Sequence, residues 1–453
     1  MMRAVIVLLI SLLCLGSAQG GKLLVIPLDG SPWRGMKLLV EELGRRGHQV
    51  VVVIPEVSHS LGPSKNTTTL TFSVPYTQES FDTDLDEDMF QFMTTDVSTD
   101  VAKFRNYWST LDTLSGFTIM TCESMLYNKE LMQTLRDYEF DALLTDPFWP
   151  VGVIIGNYLD IPSVYMSGPY PCPLDIISTR CPHPASYLPQ RFTHYSNRMT
   201  LWERTVNLLR SVLEPAACSR LYAHADKMAS DFLQKDTSIV ELASNAALWL
   251  VRFDFTYEFP MPLMPNMVMI GGMKAGKPKP LPQVSHPKAK AFITHGGTHG
   301  IYEGIYSGVP MVTIPLFIDQ GDNAQRMVAR GVAESLPIAD VTTAKVLEAL
   351  NKVIGDKSYK ANMMKLSAVH KDRPIEPLDL AVFWTEFVMR HKGADHLRST
   401  AHELSWVQYH SLDVIALLTT AILTLVLVTI KCCTFCFRKC TGKSNKTKIR
   451  ENS

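Results

Sequence analysis

Two histidines and two glycines stand close together in the chain, at His295, Gly296, Gly297 and His299. A short apolar run precedes them and a segment with helical spacing, Thr298 to Tyr306, follows, so we expect a strand, a tight turn and a helix N-terminus. This layout can bind phosphate, because unpaired backbone N–H groups and the helix dipole point out of the turn. The alternative is a glycine turn in an ordinary strand–helix unit.

Three further polar residues are placed to bind hydroxyl groups. Glu303 lies one turn into the predicted helix and can accept a hydrogen bond from a sugar hydroxyl. Asp319 and Gln320 follow a second apolar run, Val309 to Ile318. Ligands of open α/β sheets bind beyond the carboxyl ends of the strands, so these side chains and the glycine turn are expected to face one ligand.

The spacing THGG, His299-Gly300, Tyr302-Glu303 and DQ-x-DN resembles the signature of the UDP-glucuronosyltransferases. The resemblance implies that the turn binds the donor diphosphate with help from His299, that Glu303 binds the ribose, and that Asp319 and Gln320 bind the glucuronic acid. It implies UDP-glucuronate as co-substrate and no cofactor, and no ligand spacing for a metal is present. The predicted donor-binding residues are His295, Gly296, Gly297, Thr298, His299, Gly300, Glu303, Asp319 and Gln320.

The predicted acceptor side departs from this family. Its members usually have a histidine, the general base, where this chain has Pro32 in the sequence Asp29 to Trp33. Proline has no side-chain proton acceptor, so base catalysis from this position is excluded. Asp146 matches the family's second catalytic residue, a carboxylate that orients the base; the alternative is an aspartate that caps a turn at a strand end. An amine with a free lone pair needs no base, so we expect a preference for amine nitrogen over phenol.

The whole-chain composition is that of a globular protein of two to three domains. The 453 residues are 46% hydrophobic and 19% charged, with 44 basic and 44 acidic residues. This balance provides no net field for a nucleic acid. The family resemblance implies small lipophilic acceptors, membrane lipid and related transferases, in homo- or hetero-oligomers, as partners.

The two ends of the chain are predicted to be targeting and membrane segments. Residues 1–20 have the basic start, apolar run and small residues of a signal peptide, with a retained anchor as the alternative. The uncharged apolar run Val414 to Ile430 predicts a transmembrane helix at 412–430. The tail 431–453 has seven Lys or Arg and one acid, which predicts a cytosolic tail and a type I protein. With the family resemblance, this indicates the endoplasmic reticulum membrane with a lumenal body.

Cysteines and one sequon fit that compartment. Cys122, Cys172, Cys181 and Cys218 are predicted to be lumenal, where disulfides are allowed but none is required. Asn66 begins a lumenal N-glycosylation sequon in a polar stretch.

The predicted fold class is α/β. The segments Lys22 to Leu28, Met36 to Gly47 and His48 to Pro55 predict a strand–helix–strand start of a parallel sheet. The resemblance implies the GT-B architecture, with two facing Rossmann-like domains and a cleft between them. We predict an acceptor-binding domain at 21–265, a linker at 266–283 and a donor-binding domain at 284–395.

The predicted donor-binding domain is short. Compared with the family, about eighty residues, or two strand–helix units, are missing between Gln283 and Val284. The missing part would contain the platform for uracil, so this form is expected to bind UDP weakly. The open alternatives are a working transferase with altered acceptor chemistry, an impaired membrane protein that binds acceptors or pairs with full-length relatives, and a chain that fails to fold.

Overall fold

Leu23 to Ile26 alternate between two apolar layers, and this alternation builds the larger of two sheets. In the computed structural model, Leu23 and Val25 pack against the first helix, while Leu24 and Ile26 pack against the layer on the opposite face. The structure describes residues 20–94, 99, 101–102, 105, 116–273, 288–316 and 319–450. The prediction of a parallel sheet covered on both faces is confirmed.

The first sheet has seven parallel strands in the order β3-β2-β1-β4-β5-β6-β7. The order reverses between β1 and β4, so a crevice opens at their carboxyl ends, where ligands of such sheets bind. The strands are β1 (Lys22–Ile26), β2 (Gln49–Pro55), β3 (Thr68–Phe72), β4 (Ala142–Thr145), β5 (Ser163–Ser167), β6 (Leu248–Val251) and β7 (Met267–Met269).

Two layers of helices cover this sheet. The helices up to β7 are α1 (Ser31–Arg45), α2 (Gln78–Thr94), α3 (Gly116–Leu126), α4 (Lys129–Tyr138), α5 (Pro150–Tyr158), α6 (Leu174–Thr179), α7 (Leu201–Leu233) and α8 (Ile239–Ala243). Helix α1 begins earlier than predicted because Pro32 fits its first turn, where no backbone N–H is needed. Helix α7 is the longest of these helices and continues through Pro215.

The second sheet has three parallel strands in the order β10-β9-β8. In the described part of the chain, β8 has a strand partner on one side only. The strands are β8 (Phe292–Thr294), β9 (Met311–Thr313) and β10 (Ala333–Ser335), and the helices are α9 (Thr298–Ser307), α10 (Gln320–Ala329), α11 (Thr343–Gly355), α12 (Lys357–Lys371) and α13 (Pro377–His391).

Helix α13 returns to the first sheet. Its Ala381, Val382 and Val388 belong to the same buried cluster as Leu39 and Val40 of α1. This helix therefore packs on the same face of the first sheet as α1. In sequence it lies near the C-terminal end of the compact body, which extends to Arg398.

The predicted segment boundaries differ from the structure at the linker. Met267–Met269 forms β7 inside the predicted linker 266–283, so the first domain extends at least that far. The junction between Gln283 and Val284 lies outside the described residues, as do residues 1–19 of the predicted signal peptide.

Residues from Ser399 onward form a separate unit. It contains the short helix α14 (Trp406–Tyr409) and the long helix α15 (Leu412–Arg450). Leu412–Lys439 is the one helical segment, among the described residues, that is long and apolar enough to cross a membrane, with a mean hydropathy of 2.4.

Candidate active site

The glycine pair after β8 forms a turn that other residues would not fit. Gly296 has φ +83°, and a Cβ there would lie 3.2 Å from the backbone oxygen of Gln320. A Cβ on Gly297 would lie 2.4 Å from Nε2 of His295, whose ring covers this position. The turn therefore requires glycine at position 296 for its backbone angle, whereas a side chain at position 297 would have to displace the exposed His295 ring.

The N-terminus of α9 starts directly after this turn. Gly297 is its N-cap, and no side chain among the described residues caps the helix start. The N–H groups of the first helical turn, from Thr298 to Gly300, have no intrahelical acceptor. The arrangement matches the predicted anion-binding layout; His295 and His299 are exposed beside it, and Glu303 is exposed one turn further along.

The start of α10 is tied to the glycine turn through Asn323. Its side-chain amide donates to Oδ2 of Asp319 at 2.8 Å and to the carbonyl oxygen of Gly296 at 3.0 Å. Gln320 accepts from the N–H of Leu316 at 2.8 Å. Burial raises the pKa of Asp319. Asp319, Gln320 and the glycine turn are thus brought together at the carboxyl ends of β8 and β9.

Asp146 lies at the end of β4 and is enclosed. Its Oδ1 accepts from the N–H of Phe148 at 3.1 Å, and its Oδ2 accepts from the hydroxyl of Tyr170 at 2.9 Å. Nη2 of Arg252 lies 3.9 Å from Oδ2 and donates to the Tyr170 hydroxyl at 2.8 Å. Burial raises the pKa of Asp146 to about 6, against the charge of Arg252 and the two hydrogen bonds.

Position 32, in the first turn of α1, provides no side chain that can accept a proton. Pro32 is buried in the first turn of the helix. The carboxylate of Asp29 binds backbone groups of the loop: it accepts from the N–H groups of Gly30, His59 and Ser60 at 2.6, 2.6 and 2.9 Å. Asp29 therefore organises the loop.

These two groups of residues meet in a cleft between the sheets. A Cβ on Gly35 of α1 would lie 3.8 Å from Nε2 of His299 and 4.0 Å from Cδ of Arg252. The surrounding protein lowers the pKa of His299 to about 4, and the charges of Arg252 and Arg34 add to this effect. His299 is therefore neutral near pH 7, although its residue surface is exposed, and can donate or accept a hydrogen bond.

Two cavities lie at opposite ends of the strands of the first sheet. A cavity of about 40 Å³ lies beside Arg252, Arg191 and Tyr257. A larger concavity, of about 980 Å³, is lined by Lys22 and Asp141 at the amino ends of the strands. The candidate site residues lie at the carboxyl ends of the strands, so the larger cavity, at the amino ends, is not the candidate site.

The sequence reasoning missed Tyr170 and Arg252. Arg252 follows the last residue of β6, and Tyr170 lies three residues after β5. The rule that ligands of such sheets bind beyond the carboxyl ends of the strands, applied to β5 and β6, would have selected both.

A family model described as UDP-glucoronosyl and UDP-glucosyl transferase matches the chain over residues 21–285 and 282–447. The two matches together cover most of the chain and meet at residues 282–285.

Characterised relatives cover almost the whole chain. UDP-glucuronosyltransferase 1A6 of Homo sapiens is 39% identical over 517 residues, with 97% of this chain and 96% of the relative covered. UDP-glucuronosyltransferase 1A3 of Rattus norvegicus is 39% identical, with 98% and 97% covered. Each alignment is longer than the chain, so the relatives have residues that this chain lacks.

Among solved structures, spinosyn rhamnosyltransferase SpnG complexed with thymidine diphosphate is similar in fold. Its TM-score is 0.50 at 13% identity, with 80% of this chain and 100% of that chain covered. The predicted GT-B architecture is confirmed by this likeness together with the family match.

Proposed function

Because the chain belongs to the UDP-glucuronosyltransferase family, we propose that it transfers glucuronic acid from UDP-glucuronate to small lipophilic acceptors, with amine nitrogen preferred over phenol oxygen. The observation that carries this proposal is the glycine turn at Gly296 and Gly297. The uncapped N-terminus of α9 follows it, and Arg252 lies near His299 on the other side of the cleft. Positive charge and free N–H groups suit a donor that has a diphosphate and a carboxylate.

The reaction is a displacement at the anomeric carbon of the donor. The acceptor atom forms a bond to this carbon as the bond to the β-phosphate oxygen breaks, and UDP leaves with the electron pair. The helix N-terminus behind Gly297 stabilises the charge that develops on the leaving phosphate. A tertiary amine gives a cationic product without proton transfer, whereas a phenol must lose its proton to a base.

The acceptor preference follows from Pro32 and Asp146. Pro32 cannot take a proton, and Asp146 is enclosed by Tyr170 and Phe148. Tyr170 is the half-buried residue of this cluster, and Asp146 and Arg252 fix the orientation of its hydroxyl, which is the group that would meet an acceptor. This set lacks an evident base for a phenol, which favours acceptors that arrive with a free lone pair.

Transfer by the purified full-length chain in detergent micelles tests the proposal. UDP-glucuronate is supplied with a tertiary amine or with a phenol of similar size, and products are measured by mass spectrometry. We expect an amine glucuronide and only background product from the phenol. A chain that folds but gives no donor-dependent product with either acceptor would overturn the proposal.

A second candidate is an impaired form that binds acceptors or associates with full-length relatives. Alignments longer than the chain and a family match in two segments that meet at 282–285 favour it. Among the described residues, β8 has a strand partner on one side only, which also favours it. Calorimetric titration with UDP separates the two candidates: millimolar or absent binding, with co-purification of an intact relative, supports the impaired form.

We also propose the endoplasmic reticulum membrane as the location, with a lumenal body and a cytosolic tail. The candidate span Leu412–Lys439, the Cys172–Cys218 disulfide and the exposed Asn66 support this. Digestion with an endoglycosidase should increase the gel mobility of the parent and leave Asn66→Gln unchanged. A parent whose mobility does not change would contradict the lumenal assignment of Asn66.

A further inference from the structure

Tyr170 lies at the same edge of the first sheet as the position where a catalytic base is absent. Strand β4 lies between β1 and β5, and ligands of such sheets bind beyond the carboxyl ends of the strands. Pro32 follows β1, Asp146 directly follows β4, and Tyr170 lies three residues after β5. A group that moves a proton from Tyr170 would therefore act on the acceptor side of the site.

The hydroxyl of Tyr170 both donates and accepts a hydrogen bond. It donates to Oδ2 of Asp146 at 2.9 Å, and its oxygen accepts from Nη2 of Arg252 at 2.8 Å. Among the described residues, these two are its hydrogen-bond partners. A phenolic oxygen has two lone pairs and Arg252 uses one, so the second is the position at which this oxygen can take a proton from a bound acceptor.

Asp146 can take the proton that Tyr170 passes on. Its Oδ1 accepts from the N–H of Phe148 at 3.1 Å, so Oδ2 is the oxygen that faces the hydroxyl of Tyr170. Burial raises the pKa of Asp146 to about 6, against the charge of Arg252. The carboxyl is therefore ionised near pH 7 and holds a proton more firmly than an ordinary aspartate, which suits a general base.

Arg252 reaches the hydroxyl because residue 168 is glycine. A Cβ on Gly168 would lie 2.2 Å from Nη2 and 3.1 Å from Cζ of Arg252. The guanidinium charge beside the oxygen of Tyr170 disfavours a second positive charge on that oxygen. A proton that arrives on Tyr170 must therefore leave toward Asp146 in the same step.

The neighbouring chain fixes the ring of Tyr170. The ring stacks on Phe148, with the two centroids 4.5 Å apart and the planes at 24°. Nη1 of Arg191 donates to the backbone carbonyl oxygen of Tyr170 at 2.8 Å. The Cys172–Cys218 disulfide joins the chain just after Tyr170 to α7. Support of this kind keeps a reacting group in one orientation.

An aromatic amine with an N–H bond is the acceptor class that this arrangement suits. Its nitrogen attacks with a lone pair, and positive charge develops on the nitrogen as the new bond forms, so the N–H becomes acidic enough for a carboxylate to take the proton. A phenol has a pKa of about 10, for which Asp146 is a weak base. A tertiary amine has no proton to lose.

We propose that Tyr170 is a catalytic residue for primary and secondary aromatic amines, taking the N–H proton of the acceptor as it passes its own hydroxyl proton to Asp146. In this step the nitrogen–carbon bond forms, the bond from the anomeric carbon to the phosphate oxygen breaks, and UDP leaves with the electron pair. The electron pair of the N–H bond stays on nitrogen, and Asp146 returns its proton to solvent after the product leaves. The inference rests on the proposed transferase function and names an acceptor class for the same site.

Two acceptors that differ by one methyl group test this step. N-methylaniline has an N–H proton and N,N-dimethylaniline has none. The purified full-length chain in detergent micelles is supplied with saturating UDP-glucuronate, and kcat and KM are measured for each acceptor by mass spectrometry. Tyr170→Phe removes the hydroxyl and keeps the ring. Tyr138→Phe is the matched control, because Tyr138 is also half-buried and stacks on a phenylalanine, Phe140, before the start of β4.

In Tyr170→Phe, kcat for N-methylaniline should fall at least tenfold, and kcat for N,N-dimethylaniline should change less than threefold, since general acid–base catalysis contributes about 10²–10⁴-fold. Asp146→Asn should give the same difference between the acceptors, because an amide cannot take the proton. This second variant decides the question if Tyr170→Phe does not fold. Tyr138→Phe should change neither rate.

Equal losses with the two acceptors in Tyr170→Phe and in Asp146→Asn, or unchanged transfer to N-methylaniline, overturn the proton transfer through Tyr170 and leave the proposed function intact. Retained transfer to N,N-dimethylaniline shows that each variant is folded. A folded parent that gives no donor-dependent product with either amine overturns the proposed function, and the role of Tyr170 with it.

Discussion

The hydroxyl of Tyr170 donates a 2.9 Å hydrogen bond to Oδ2 of Asp146, and this carboxyl is fully buried at the end of β4. The pair is linked to Arg252, which donates to the same hydroxyl. Burial of Asp146 nevertheless outweighs these contacts and raises its pKa to about 6. The protonation of Asp146 therefore contributes to how stability depends on pH.

Replacement of Asp146 by asparagine should stabilise the protein near neutral pH. The carboxyl has a reference pKa of 3.8 and a folded-state pKa of about 6, so its ionisation destabilises the folded state as pH rises from about 4 to 6. The cost is fully present above pH 6. The free energy of unfolding of Asp146→Asn relative to the parent should rise by about 3 kcal/mol between pH 4 and pH 7.

Denaturant unfolding at several pH values measures this difference. Asp231→Asn, at an exposed position near the end of α7, is the control for an Asp-to-Asn change away from the cleft. If the difference in unfolding free energy between Asp146→Asn and the parent does not change with pH, the Asp146 carboxyl has the same pKa in the folded and unfolded chain.

The sequence predicted the first sheet well because its strands are continuous apolar runs. Val50 to Ile54 are all buried, and such a run has few competing interpretations. The boundary of the first helix was less accurate: the predicted helix began at Met36, but α1 begins at Ser31, because Pro32 fits its N-terminal turn.

The candidate site was only partly predictable for a related reason. The glycine turn depends on local backbone geometry, which the residue types at Gly296 and Gly297 reveal. The contact between Tyr170 and Arg252 joins residues 82 apart in the chain. Such contacts depend on the packing of β5 beside β6, which a single sequence does not specify.

Gly296→Ala should weaken UDP binding. Alanine is strained at φ +83°, and its Cβ would lie 3.2 Å from the backbone oxygen of Gln320, so the turn and the start of α10 must shift apart. The strain is on the order of 1–3 kcal/mol. If the turn binds the diphosphate, the dissociation constant for UDP should rise at least tenfold.

Gly355→Ala is the matched control, because an added Cβ there meets nothing within 4 Å. Titration calorimetry of both variants gives the comparison. Equal UDP affinity for Gly296→Ala and Gly355→Ala would remove the glycine turn from the donor site.

The ion pair between Glu258 and Arg326 should couple the two halves of the body. Nε of Arg326 lies 2.7 Å from Oε1 of Glu258, and both side chains are largely buried, with 9% and 12% exposed. Glu258→Gln or Arg326→Met alone leaves one buried charge unpaired and should cost about 3–5 kcal/mol of unfolding free energy. The double variant should cost less than the sum of the two.

A double-mutant cycle by denaturant unfolding measures this coupling. The same variants should weaken UDP binding, because Arg326 lies on α10 and this helix begins with Gln320, one of the predicted donor-binding residues. Strictly additive single effects would mean that the pair does not hold α10 to the loop after β6.

Pro32→His should introduce phenol transfer. The position lies in the first turn of α1, beside the cleft and after the end of β1, where the family resemblance implies a catalytic histidine. Imidazole titrates near neutral pH and can take the phenolic proton as the bond to the anomeric carbon forms. General-base catalysis contributes about 10²–10⁴-fold, so phenol turnover should rise by at least tenfold even from an imperfectly oriented ring. Tertiary-amine turnover should change by less than threefold, since this reaction transfers no proton.

Pro32→Ala, which removes the ring without adding a base, controls for the loss of rigidity, and product is quantified for both acceptors. If Pro32→Ala raises phenol turnover as much as Pro32→His does, the effect comes from the α1 backbone, and the missing base does not explain the acceptor preference.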